Sequence, residues 1–267
     1  MDNTLSLNPK NITAGDKKII YLCDDTVEGI FTAIYLAWSF GTSKTDVRVR
    51  CSSTLSFFEE YKDISTDYDI ASKVSRSIIT KLSYDVYTFV YYACLSNDPE
   101  KGSYIYRFLI KAFKKGPCII DFIQDFHVSK VFELSRKVSR EACYYREFIR
   151  FEELSNGVLR AKISPKYNIS HLLTDHFSDR FSCEDWIIFD TLRNSAIIHK
   201  KYKAAILADG ITEKQLDEFC DLSAKESDFQ ALWKRFFDTI AIEERINTNL
   251  QRNNMPLHFR KYMNAEK

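Results

Sequence analysis

The stretch FQALWKRFFDTIAIEERINTNLQRNNMPLHFRKY, residues 229–262, decides the expected fold. In its first half Phe229, Leu232, Trp233, Phe236, Phe237, Ile240 and Ala241 recur at the spacing that puts them on one helix face. Ser227 followed three residues later by Gln230 reads as a capping box. Such an aromatic face is expected to be buried, with Trp233, Phe236 and Phe237 against strand pairs elsewhere in the chain. In the second half Glu243, Glu244, Arg245, Asn247, Asn249, Gln251, Arg252, Asn253 and Asn254 follow with little apolar interruption. Guanidinium forks and side-chain amides are the groups that read phosphates and base edges.

Around this stretch lies a chain of 267 residues, 45% hydrophobic, with 7 Gly and 5 Pro, which is a globular composition. Lys and Arg number 38 against 37 Asp and Glu, so wholesale coating of nucleic acid is excluded and any such surface is a local patch. The cysteines, Cys23, Cys51, Cys94, Cys118, Cys143, Cys183 and Cys220, form no C-x-x-C. Zinc-ribbon and iron–sulfur spacings are therefore missing, and no metal or cofactor is expected. Scattered single cysteines suit reduced thiols in a cytoplasmic protein. The start lacks the basic and apolar regions of a signal peptide, and the longest uncharged apolar run, residues 86–95, is too short to span a bilayer.

In order, residues 1–16 are expected to be a disordered tail and residues 17–267 a single domain. Residues 18–23 read as a strand, Asp24-Asp25-Thr26 as a turn and cap, and residues 27–40 as a helix with Ile30, Ile34, Tyr35 and Trp38 inward. Asp24, Asp25 and Glu28 crowd that helix start. They serve either as capping and dipole compensation or as an acidic cluster for a metal or an amine. Residues 47–50 alternate as a short edge strand, and helices follow over 67–81, 84–95 and 102–115. Their aromatics fit a core, with base stacking the alternative. The long helix over 128–148 buries Val128, Val131, Phe132, Val138, Ala142 and Tyr145. It turns Lys130, Glu133, Arg136, Lys137, Arg140 and Glu141 outward, as a solvated face or as a phosphate-contact ridge.

Residues 148–163 form a hairpin around Ser155-Asn156-Gly157, since Asn-Gly is the strongest short hairpin signal. A helix runs from Asn168 to Phe181, with Ile169, Leu172, Leu173, His176 and Phe177 inward. A second strand pair, 186–192 and 196–199, turns at Arg193-Asn194-Ser195, and residues 202–208 add a third strand. The class is α+β: predominantly helical, with small antiparallel sheets built from hairpins and an N-terminal strand.

Chemistry is thinly marked. His171 and His176 stand five apart, which breaks the i, i+4 metal pair. His176 lies on an apolar stripe, as a core histidine or an acid–base group. Asp190, Arg193 and His199 share the second hairpin, where they make a site or fix a turn. No nucleophile elbow, phosphate loop, dinucleotide fingerprint or deaminase pattern occurs.

Six stretches carry a resemblance: YLCDDTVEGIFTAIY (21–35), KVFELSRKVSREA (130–142), FIRFEEL (148–154), SPKYNISHLLTDHFSDRF (164–181), WIIFDTLRNSAI (186–197) and FQALWKRFFDTIAIEERINTNLQRNNMP (229–256). Together they resemble a bacterial family labelled as DNA metabolism or DNA repair proteins, whose domain has no assigned reaction. The resemblance implies a radical-SAM protein as partner and, in some members, fusion to a uracil-DNA-glycosylase-like module. It implies DNA processing by association. The first expectation is a DNA-binding accessory to that enzyme, with weak DNA contacts at Arg136, Lys137, Arg140, Arg180, Arg245, Gln251 and Arg252. The second is an enzyme acting on a base or backbone, with Asp190, His176 and Arg193 as catalytic candidates. The third is a protein–protein adaptor.

Overall fold

The computed structural model describes residues 17–50, 56–218, 221–240 and 247–262. The expected tail over 1–16 lies outside them. The chain divides into two compact units, residues 1–135 and 136–267.

In the first unit β1 (Lys18–Cys23) is the central strand, apolar and buried over nearly its whole length. A strand covered on both faces reads as a continuous apolar run. Thr26 caps α1 (Val27–Phe40) by accepting from Gly29 N at 2.9 Å. The helix returns the chain to β2 (Thr45–Val49), parallel to β1 and at the sheet edge. β3 (Glu59–Asp63) joins the other edge of β1, also in parallel. This three-stranded sheet is therefore wholly parallel, not antiparallel, because each connection is a crossover rather than a hairpin. Three helices follow: α2 (Tyr68–Lys81), capped by Asp67, α3 (Tyr84–Cys94), capped by Ser83, and α4 (Lys101–Lys115). Ile30, Phe31, Val47, Val90, Ile105, Phe108 and Leu109 share one core with Val128, Val131 and Leu134 from the start of α5 (Phe126–Phe148). Ile30 and Ile34 point inward as expected. Tyr35 and Trp38 do not: they are 44% and 37% exposed and line a groove instead.

In the second unit β4 (Glu152–Glu153) and β5 (Leu159–Ile163) make the expected first hairpin, with Gly157 at φ 80°. α6 (Ser170–Arg180) then crosses to β6 (Trp186–Asp190), which lies parallel to β5. Asn194, at φ 52°, turns β6 into antiparallel β7 (Ser195–His199), and β8 (Ile206–Asp209) closes the order β4-β5-β6-β7-β8. The five-stranded sheet is mixed. The α+β class holds, while the antiparallel expectation fails at the β5–β6 pair.

α7 (Glu213–Glu218), α8 (Ala224–Ile240) and α9 (Thr248–Asn254) lead to a 3₁₀ turn, Leu257–Tyr262, whose Phe259 is buried against Tyr145. α8 departs from expectation twice. Its cap is Ser223, which accepts from Glu226 N at 3.0 Å, so it begins a turn earlier than Ser227. The described part of its stripe is open to solvent: Phe229, Leu232, Trp233 and Phe236 are 51–62% exposed, while the side chain of Phe237 lies outside the described set. The reason is that the helix is held by its polar edge. Glu226 bonds Arg150 at 2.9 Å, and Gln230 reaches Glu226 and Glu152. Residues 241–246 lie outside the described set.

Cys23 and Cys94 are buried in the first unit, whereas Cys118, Cys143 and Cys183 are exposed free thiols. Burial, with the nearby Asp24 and Asp25 charges, pushes the Cys23 thiol up to about 12, and burial raises Cys94 as well. Among the described residues no helix is long and apolar enough to cross a membrane.

Candidate functional site

Asp190 ends β6, in register with Ile163 on one side and Ser195 on the other. Its side chain is fully buried. Oδ1 accepts from the amides of Leu192 at 2.9 Å and Arg193 at 3.3 Å, the pattern by which aspartate fixes a turn. Oδ2 accepts from Arg193 Nη1 at 3.0 Å and from Ser170 Oγ at 3.5 Å. The Arg193 fork continues outward, with Nη1 donating to Pro165 O at 2.9 Å and Nη2 to Lys166 O at 3.0 Å. The same loop is gripped from its other edge. Glu141 of α5 accepts from the amides of Lys166 at 2.9 Å and Tyr167 at 2.8 Å. Asp190 and Arg193 thus meet as expected, and together they fix the turn and clamp the β5–α6 loop.

Glu141, expected on the outer face, is 6% exposed. It borders the apolar stripe, one residue before Ala142 and four before Tyr145, and that position is the signal that marks it as a margin residue. Burial raises its carboxyl above the ordinary range, against the two amides and the His258 and Arg193 charges.

His176 stands apart from this clamp. Its ring meets Phe177 edge-on at 4.8 Å, and burial, then Arg146 and Arg180, lower its pKa, which favours the uncharged ring. His199 is a core histidine: Nδ1 faces Glu184 O at 3.0 Å and the ring stacks on Trp186 at 5.0 Å.

The acidic turn at the start of α1 is internally paired. Asp24 bonds Arg50 and Thr66, and Asp25 pairs with the buried Lys101, whose ammonium also donates to Cys94 O at 2.6 Å and to Ser96 O. Among the described residues no group of His, Cys, Asp and Glu is arranged to hold a metal.

The basic candidates lie at the surface. Arg136, Lys137 and Arg140 are exposed on α5, opposite buried Val138 and Ala142. Arg180 is exposed at the end of α6, its guanidinium 5.6 Å from the Phe181 ring centre. Arg252 is exposed on α9, which also carries Gln251. Arg245 lies outside the described residues. Lys166 carries no signal in the sequence; it is exposed on the doubly clamped loop.

A family model described as a domain of unknown function, DUF4130, matches residues 99–265. No curated protein matches the chain. One solved structure that matches is described as the DHH domain of a member of a family of ribosomal proteins. It is 10% identical over 69% of this chain and 74% of that one, with a TM-score of 0.31, which is too low to carry a comparison further.

Proposed function

The chain belongs to the DUF4130 family, and from that premise we propose that it is a DNA-binding accessory protein in bacterial DNA repair or metabolism. It works in the cytoplasm and presents DNA to a radical-SAM enzyme that supplies the difficult chemistry. The observation that carries this reading is the exposed ridge of Arg136, Lys137 and Arg140 on α5. Arg136 and Arg140 make no ion pair among the described residues, so their charge is open to phosphate. The reading of Asp190 as a catalytic group draws less support, because its carboxylate is enclosed and bonded to four donors of its own fold. With 38 basic against 37 acidic residues, binding is weak and salt-sensitive.

The test is fluorescence anisotropy with labelled single- and double-stranded oligonucleotides. Replacing Arg136 and Arg140 together with alanine is expected to weaken binding about tenfold and to flatten its dependence on salt by about two phosphate contacts. Melting temperature should stay where it was. Unchanged affinity in the double variant would overturn the ridge. Turnover of a damaged or modified oligonucleotide by the isolated chain would overturn the accessory role.

A further inference from the structure

In the first unit α1, α2 and α4 leave a groove of about 350 Å³ between them. Its floor and walls are Ile34, Val74, Leu109, Phe113, Tyr35 and Trp38. The indole is held in place by edge-on contacts to Phe113 at 5.4 Å and Tyr106 at 6.4 Å, so the wall is rigid before anything binds. The rim is basic. Lys73 and Lys81, both exposed, stand on α2 with Ser77 between them, and no carboxylate lines the groove. Eight residues of helix separate the two lysines by about 12 Å.

We infer that this groove docks an acidic amphipathic segment of a partner protein. Two apolar side chains fill the floor, with a carboxylate on either side for Lys73 and Lys81. The volume suits two anchors, since about 150 Å³ holds one benzene. The openness of the site selects a protein over a free small molecule. Small-molecule sites bury most of their ligand, whereas here Tyr35 and Trp38 are themselves 44% and 37% exposed. A segment carried by a larger partner covers those rings, and rigid Trp and Tyr anchors are what concentrate binding energy at protein interfaces. The lysine spacing sets the register of the segment. This inference stands independently of the DNA ridge on α5.

The experiment pans a display library of random 16-residue peptides against the full chain. Recovered sequences are expected to place acidic residues on both sides of an aromatic or branched apolar pair. A labelled copy of the most frequent one should lose at least tenfold in affinity when Lys73→Glu and Lys81→Glu are combined. Both lysines are exposed, so the variant keeps its melting temperature. Ser77→Trp, which fills the groove from α2, should abolish binding. Failure to enrich any sequence over background, or binding that survives both variants, overturns the inference. So does saturable binding of dodecanoate with no peptide recovered, which would make the occupant a free amphipathic anion.

Discussion

Asp190 and Glu141 are two buried carboxylates in one network. Asp190 has donors on both oxygens, one of them a guanidinium. Removing it with Asp190→Ala strips Arg193 of its carboxylate partner and leaves it only the Pro165 and Lys166 carbonyls, and the expected loss is about 2–3 kcal/mol by urea denaturation. Arg193→Lys should also destabilise, because one ammonium cannot span the Pro165 and Lys166 carbonyls as a fork does. A stable Asp190→Ala chain that lost a DNA-directed activity would instead restore the catalytic reading. Glu141 is held above its ordinary pKa, so its fold binds the proton more tightly than the unfolded chain does. Its stabilising contribution is complete below the unfolded value and is lost as pH rises through the folded one. Against Glu141→Gln, the native chain should therefore gain stability as pH falls from neutrality into the ordinary glutamate range, and a flat difference would refute this. Asp46 runs the other way. Burial alone would raise it, but the Lys18 hydrogen bond and the Lys18 and Arg107 charges outweigh that and lower it, so its contribution fades as pH falls. The sequence placed Asp190 and Arg193 in one hairpin because the turn is local. It could not show that Pro165 and Lys166 complete the clamp, since those partners lie nearly thirty residues away.

Among the elements, those with local signals were legible. Asn156-Gly157 demands a turn with positive φ and produces one, and the 3.6-residue stripe of α5 buries Val128, Val131, Val138, Ala142 and Tyr145. β3 gave no such signal. It reads EEYKD, and its charged residues belong at an exposed edge, where they hide the strand from any hydrophobic pattern. Nor does a crossover announce the parallel pairing of β5 with β6, which depends on partners beyond any local window. α8 shows the converse failure: a sound stripe correctly read as helix but wrongly assumed to be covered. Phe236→Ala, which would cost about 3–5 kcal/mol if buried, should here move stability by less than about 1 kcal/mol in thermal melts. Gly102→Ala should do more, although it only adds a methyl. Its new Cβ would stand 2.9 Å from Val47 O, and since that atom is backbone, α4 would have to move off β2. A loss of about 1–3 kcal/mol is expected.

At the scale of the whole molecule, residues 17–267 are proposed to act as one cooperative domain, although the chain clusters into two units. The cysteines offer a way to time this. Of the five cysteines among the described residues, Cys118, Cys143 and Cys183 lie at the surface, while Cys23 and Cys94 share one core. In a pulse of alkylating reagent the first three should be tagged in a single early burst. Cys23 and Cys94 have high-lying pKa values and no access to reagent, so they should be tagged together and only when their core opens. The second wave is then a stopwatch for the first unit alone, read by mass spectrometry without any introduced label. For one cooperative domain its rate equals that of global unfolding followed by circular dichroism; a faster second wave would mean that the first unit comes apart on its own schedule.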